Sequence, residues 1–88
     1  MAPYAWTLNR PTGSILNYLP VERRVALFRE LDDLGAHPFR DGHLRYLDSD
    51  GREIRVWVVG DLTIHYWLDH AVCEVRVTQI DPTDSFEL

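Results

Sequence analysis

The sequence has no lysine, a single cysteine and no long apolar run. Because a membrane-spanning helix needs about 20 consecutive apolar residues, no transmembrane segment is expected. The opening sequence MAPYAWTLNR lacks the charged and apolar regions of a signal peptide, which predicts a cytoplasmic protein. Cys73 can form neither an internal disulfide nor a multi-cysteine metal site, and the nearby Val72 and Val75 predict a buried thiol.

Positive charge is also scarce. All nine basic side chains are arginine, and the 14 acidic side chains give the 88-residue chain a net charge of −5. Nonspecific affinity for a nucleic-acid backbone grows with excess positive charge. Any contact with nucleic acid must therefore come from a local patch rather than from the charge of the whole chain.

Two helices are predicted near the N-terminus, after a first strand at residues 4–8. Apolar residues within 10–19 predict a short helix. A longer helix is predicted over 20–34, because Pro20 suits a first turn, Gly35 can end the helix, and apolar residues recur at helical spacing. The apolar stripe, which must be buried against the strands, consists of Val21, Val25, Leu27, Phe28, Leu31 and Leu34.

The rest of the chain predicts strands separated by tight turns. The strands are expected at residues 43–48, 52–59, 62–69 and 71–80, with turns at the sequences DSDG, GD and DH. The element order β-α-α-β-β-β-β predicts an α+β fold that spans residues 1–88 as a single domain. Two N-terminal helices are expected on one face of a small, mostly antiparallel sheet of four to five strands.

Alternation along the last two strands assigns their side chains to two faces of the sheet. Ile64 and Tyr66 are expected on the face that packs the helices. His65 and Trp67 are expected on the opposite face, partly accessible to solvent, with Arg76 beside them on the last strand.

The register of the strand at 52–59 has two solutions. A strict two-residue loop at Gly60-Asp61 pairs the ends of the two strands and places Trp57 in the core. A longer loop, or a bulge at 58–59, places Arg55 and Trp57 on the face of His65 and Trp67. The second solution keeps a charge off the helix-packed face and is the preferred interpretation.

A surface with two tryptophans, a histidine and one or two arginines has two uses. It can stack nucleobases and hold phosphates. It can equally anchor a protein partner, because tryptophan and arginine are enriched in the energetically important centres of interfaces. The acidic balance of the chain favours the protein partner.

Two segments of the sequence resemble a known family. The segments LPVERRVALFRELDDLGAHPF and GREIRVWVVGDLTIHYWLDHAVCEVRV are similar to the RelE/ParE superfamily of toxins. The resemblance covers residues 4–80 and includes a Pro that closes the second helix, acidic turn residues and an apolar last strand. The matching positions within the family's strand and turn pattern are Arg55, Gly60, Asp61, Tyr66 and Asp69.

The resemblance implies a toxin of a type II toxin–antitoxin pair, neutralised by a small antitoxin. RelE-like members cut messenger RNA on the ribosome, whereas ParE-like members inhibit DNA gyrase. Two departures from the nuclease pattern are visible. Thr63 stands where the family motif has an arginine, and the tail QIDPTDSFEL carries Asp81, Asp84, Phe86 and Glu87 where nuclease members carry a basic residue and a Tyr or His.

Metal-independent RNA cleavage needs a base, an acid and a cation that stabilises the charged phosphate. If this chain cleaves RNA, we expect His65 to transfer the proton, because it is the only histidine in the interior of a predicted strand. Arg55 and Arg76 are expected to hold phosphate oxygens, and Trp57 or Trp67 to stack a base.

Other functions stay open at this point. The chain is expected to use no metal or other cofactor, because the spacing of His37, His43 and His70 in loops and turns fits no metal site. A non-catalytic ParE-like or decayed toxin would act by protein binding alone. An unrelated α+β interaction module or a homodimer would use the tryptophan-rich face as its interface.

Overall fold

The computed structural model describes residues 3–40 and 42–82. Its elements follow the predicted order, with a 3-10 helix continuing from the first helix. The bounds are β1 Ala5–Leu8, α1 Arg10–Gly13, the 3-10 helix Ser14–Tyr18, α2 Val21–Ala36, β2 Leu44–Leu47, β3 Glu53–Val59, β4 Leu62–Asp69 and β5 Glu74–Pro82. The predicted tail residues Asp84, Phe86 and Glu87 lie outside the described residues.

The strands form one mixed sheet, which confirms the predicted α+β fold. Among the described residues the sheet has five strands in the order β1-β5-β4-β3-β2. β1 pairs in parallel with β5, and the other three pairings are antiparallel. β4 is therefore the central strand, and β1 and β2 are the edges.

Helix α2 packs one side of this sheet. Glu22 in its first turn complements the positive end of the helix dipole. The buried part of the predicted stripe is narrower than expected, because Val21 and Val25 are exposed. The side chains that are fully buried are Leu27, Leu31 and Leu34, which form one cluster with Ile64, Tyr66, Val75 and Val77. No helix within the described residues is long and apolar enough to cross a membrane.

Phe28 lies at the margin of the core rather than in its centre. Its ring stacks on Trp6 of β1, with ring centroids 5.6 Å apart and planes 19° from parallel. The Trp6 indole N–H donates to Asp32 on the same helix at 2.8 Å. Phe28 is thus half-buried between the helix and the edge strand, and Leu31 occupies the deeper position.

The preferred register of β3 was wrong, and the strict two-residue loop is present. Val59 pairs with Leu62 across Gly60, which adopts a positive φ of 56°. Trp57 pairs with Ile64, so Trp57 and Arg55 lie on the helix-packed face. A charge is tolerated there because Arg55 donates to the backbone carbonyls of residues 38 and 40, at 3.4 and 3.1 Å.

An irregularity between β4 and β5 shifts the second half of the last strand. Tyr66 pairs with Val77 and His65 pairs with Gln79, so Thr78 is left without an opposite residue in the register of β4 and β5. This extra residue is a β-bulge, and it reverses the alternation of the strand beyond it. Gln79 and Asp81 therefore lie on the face of His65, although simple alternation places them on the helix-packed face.

The turn before β5 corrects the expectation for Cys73. The strand begins at Glu74 rather than at residue 71, and Cys73 belongs to the turn. Its φ of 55° lies in the left-handed region, and its side chain is exposed. The prediction of a buried thiol was therefore wrong. Of the two valines on which it rested, Val72 is also exposed and only Val75 enters the core.

Truncation along α2 tests this packing. Leu31→Ala should lower the free energy of unfolding by about 3 kcal/mol, because the side chain is completely buried and its loss leaves a cavity. Phe28→Ala should cost about half as much, since that ring is only half-buried. Val25→Ala is the control and should change stability by no more than about 0.5 kcal/mol. Urea unfolding measures all three, and equal losses for Phe28 and Leu31 would contradict the packing.

Candidate functional site

The sheet face opposite α2, called the far face below, gathers the polar and aromatic side chains. The strand registers place residues of β2 to β5 on it. Its buried apolar floor consists of Ile54 and Val56 of β3. The side chains of this face that can bind a ligand or transfer a proton are Tyr46, His65, Trp67, Arg76 and Asp81 on the strands, and Arg52 just before β3.

Two guanidinium groups contact the ring of Trp67. The Arg52 Cζ atom is 4.8 Å from the centre of the indole ring, and the Arg76 Cζ atom is 5.7 Å from it. Both distances are typical of cation–π contacts. The three side chains line a cavity of about 400 Å³, together with Thr7, Leu8, Asn9, Val77 and Thr78. Arg52, Trp67 and Arg76 thus form one cluster on the far face.

Both arginines of the cluster are also paired with carboxylates. Their donor–acceptor distances range from 2.8 to 3.2 Å. The carboxylate partners are Asp69 and Glu74 for Arg76, and Asp48 and Asp50 for Arg52. These ion pairs fix the guanidinium planes beside Trp67 and offset their charge. An incoming phosphate must compete with them.

His65 connects two further side chains of the far face. It is 4% exposed, and its Nδ1 lies 3.0 Å from the Tyr46 hydroxyl. Its Nε2 lies 3.6 Å from the Asp81 carboxylate. This distance is longer than a hydrogen bond, but the negative charge favours the imidazole tautomer that is protonated at Nε2, which leaves Nδ1 to accept the Tyr46 O–H. These three side chains form an array that runs from β5 across β4 to β2.

The protonation states of this array follow from its burial. Burial lowers the pKa of His65 below its ordinary value, and the nearby Asp81 carboxylate opposes that shift. Burial raises the pKa of Tyr46, and the carboxylates of Asp48 and Asp81 add to the rise. At neutral pH His65 is therefore an uncharged acceptor, and Tyr46 keeps its proton.

The predicted site residues divide between the two faces. His65, Trp67 and Arg76 share the far face as expected, and Arg76 pairs with Trp67 across the strands. The expectation that His65 is partly accessible was wrong, because it is buried beneath its neighbours. Arg55 and Trp57 were wrongly placed with them, since both lie on the helix-packed face.

Trp57 is fully engaged where it lies. Its indole N–H donates to Glu30 at 2.8 Å, His43 stacks on its ring at 4.6 Å between centroids, and the Arg40 Cζ is 4.8 Å from the ring centre. Trp67 also has two guanidinium groups over its ring, but it lies on the far face, so it is the remaining candidate for stacking a base that displaces one of them.

Arg55 has a role within the fold. It lies beside the buried Tyr66 hydroxyl, which makes no hydrogen bond of standard geometry to any described residue. Burial raises the pKa of Tyr66, and the guanidinium of Arg55 is the largest opposing influence. Since Arg55 also holds two backbone carbonyls, its charge serves the packing of the segment that follows α2.

The sequence did not predict three residues of the far face, namely Tyr46, Arg52 and Asp81. Tyr46 and Arg52 lie in the region of the DSDG turn, whose pairing with β3 brings them to the face. Asp81 reaches it only through the bulge at Thr78. Within residues 3–40 and 42–82, no three His, Cys, Asp or Glu side chains are grouped closely enough to hold a metal ion.

Comparisons with known proteins establish the fold. No protein-family model matches the sequence, and no curated protein matches it. A chain in the crystal structure of the toxin–antitoxin complex RelBE2 from Mycobacterium tuberculosis matches with a TM-score of 0.76 and 20% identity, over 91% of this chain and 98% of that one. A chain in the archaeal RelE–RelB complex from Pyrococcus horikoshii OT3 matches with a TM-score of 0.69 and 17% identity, over 92% and 96%.

Lowering the pH should destabilise the protein through His65. Because its pKa is lower in the folded state, the unfolded chain binds more protons as the pH falls below about 6.5. The contribution of His65 to the free energy of unfolding is therefore fully present above that pH. It decreases as the pH falls toward the pKa of His65 in the folded state, by at most about 1.4 kcal/mol per pH unit.

Urea unfolding between pH 7.5 and 5 measures this dependence. His65→Gln should flatten the profile, whatever its effect at neutral pH. His37→Gln, at an exposed position, is the matched control and should leave the slope unchanged. A His65→Gln profile as steep as that of the wild type would rule out this origin of the pH dependence.

Proposed function

We propose that this chain is the toxin component of a type II toxin–antitoxin pair, held inactive in the cytoplasm by a small cognate antitoxin. The observation that carries the proposal is the match, over nearly the whole length of both chains, to chains of two toxin–antitoxin complexes. The resemblance of residues 4–80 to the RelE/ParE superfamily, which rests on different features of the chain, supports the same conclusion.

The far face suggests the activity, which we propose to be metal-independent cleavage of messenger RNA. Trp67 stacks a base once one of the two guanidinium groups over its ring is displaced, and Arg52 and Arg76 hold phosphate oxygens. Proton transfer, the remaining requirement, is supplied by the array around His65. The side chains to which we assign these three roles lie on one face, which supports the proposal.

The charge of the far face bears on how RNA reaches it. Each arginine of the cluster is held by two carboxylates, and the chain carries a net charge of −5. Free RNA in solution is therefore attracted weakly. We propose that the substrate is messenger RNA already bound to a ribosome, in agreement with the family resemblance.

The same charges favour a second candidate function. A ParE-like toxin that binds DNA gyrase, or another protein, needs no free cations for phosphate. The four carboxylates around the cluster, and Thr63 in place of the family's arginine, agree with such a role. In that case Trp67 is an interface anchor rather than a base-stacking surface.

Induced expression in a heterologous bacterium tests the proposal. We expect growth arrest with fragmentation of messenger RNA, and restored growth when a small open reading frame adjacent to the gene is expressed together with it. Arg76→Ala should weaken cleavage roughly tenfold, the scale for losing a hydrogen bond to a charged group. Arg29→Ala, at an exposed position on α2, is the matched control and should remain fully toxic.

The outcomes separate the two candidates. Growth arrest with intact messenger RNA and altered plasmid supercoiling would favour the gyrase-binding role. Normal growth of cells that accumulate folded protein, without an antitoxin, would overturn the toxin proposal itself.

A further inference from the structure

We propose that Tyr46 is the catalytic residue that takes the proton of the RNA 2′-hydroxyl, with His65 and Asp81 as positioning residues behind it. The inference rests on the proposed ribonuclease function. It starts from a difference in exposure: His65 is 4% exposed and Tyr46 is 43% exposed. Tyr46 is therefore the member of the pair that a substrate can contact, whereas the imidazole is shielded by the side chains around it.

One hydrogen bond and one charge contact assign a role to each side chain. The Asp81 carboxylate, 3.6 Å from Nε2, favours the tautomer in which Nε2 carries the proton and Nδ1 accepts from Tyr46. The Tyr46 oxygen then has its lone pairs available on the side away from His65. A carboxylate, an imidazole and a hydroxyl in this sequence form the arrangement that activates the nucleophile in hydrolytic triads. Here the hydroxyl relays a proton instead of attacking.

The array lies next to the arginine and tryptophan cluster. His65 and Trp67 point to the same face from alternate positions of β4. Tyr46 lies on β2, which is two strand spacings from β4, or about 10 Å. In the proposed complex the base of one nucleotide displaces a guanidinium group from Trp67 and stacks there, and a neighbouring ribose lies beside Tyr46.

The proposed step conserves atoms and electrons. The proton of the ribose 2′-hydroxyl passes to the Tyr46 oxygen as the Tyr46 proton passes to Nδ1 of His65. The 2′-oxygen forms a bond to phosphorus, and the bond from phosphorus to the 5′-oxygen breaks with its electron pair on that oxygen. Water protonates the 5′-oxygen. The products are a 2′,3′-cyclic phosphate and a 5′-hydroxyl, and His65 returns its proton to solvent through Tyr46.

The charged surroundings suit a relay. The lowered pKa of His65 keeps Nδ1 free of a proton at neutral pH, and the raised pKa of Tyr46 keeps the phenol protonated until the step occurs. Asp81 faces the imidazole from β5 and stabilises the imidazolium that forms. Asp48, at the end of β2, is the other carboxylate that acts on Tyr46.

Tyr46→Phe removes the hydroxyl and keeps the ring. With a short synthetic messenger RNA loaded on ribosomes, we expect cleavage to slow by about two orders of magnitude, the scale for losing a general base. Binding of the same RNA with a 2′-deoxy nucleotide at the cleavage position should be unchanged. Tyr18→Phe is the matched control, because Tyr18 is 83% exposed on the 3-10 helix.

A second variant gives a readout that a merely structural role would not change. Asp81→Asn removes the charge that raises the pKa of His65, so that pKa should fall further. The acidic limb of the pH–rate profile, where protonation of His65 blocks the relay, should move to lower pH. Urea unfolding of each variant shows whether the fold is retained.

The outcomes are distinguishable. Cleavage by Tyr46→Phe within about threefold of the wild type would overturn the role of Tyr46 and leave the ribonuclease proposal intact. An acidic limb that stays in place in Asp81→Asn would overturn the roles of His65 and Asp81. A folded wild type that leaves the ribosome-bound RNA intact would overturn both the relay and the ribonuclease function.

Discussion

The shift of register between β4 and β5 is the constraint on which the far face depends. Arg76 and Asp81 are an odd number of positions apart, and they share a face only because Thr78 is inserted between them. The bulge is held from both sides. The Thr78 carbonyl accepts from the Asn9 amide at 3.1 Å and the Thr12 hydroxyl at 2.8 Å, and the Thr78 hydroxyl donates to the His65 carbonyl at 3.4 Å. The contacts of Asn9 and Thr12 at the start of α1 thereby help to fix the position of the Asp81 carboxylate, near the C-terminal end of β5.

Sequence periodicity was sufficient to predict the order of the helices and strands. It also predicted the two faces of the central strand β4, along which every side chain alternates without interruption. It failed where one extra residue or one compensating contact decides the outcome. Arg55 was assigned to the wrong face because a charge was expected to avoid the helix, and the backbone carbonyls that satisfy it come from a distant segment. Asp81 could not be assigned without the bulge. Tyr46 could not be connected to His65, because strands on either side of β3 meet only through tertiary pairing.

Arginine suits the cluster around Trp67 better than lysine does. A guanidinium group is planar, so it can lie over an indole ring while its edge donates to carboxylates. Arg76 does both, with Trp67 on one side and two carboxylates at its rim. An ammonium group offers no such flat surface. An acidic domain can in this way hold two cations beside an aromatic ring in fixed orientations, although its overall charge repels polyanions.

The edge position of β2 links the chemistry of the far face to motion. Within the described residues β2 pairs as a strand with β3 alone, and all four of its side chains are exposed. Short edge strands open by local unfolding more readily than the strands beside them. When β2 frays, the hydrogen bond between Tyr46 and His65 breaks while β4 keeps its place. A ligand that displaced this edge would disconnect the hydroxyl from the imidazole without covering either group, and one that clamped the edge would hold them together.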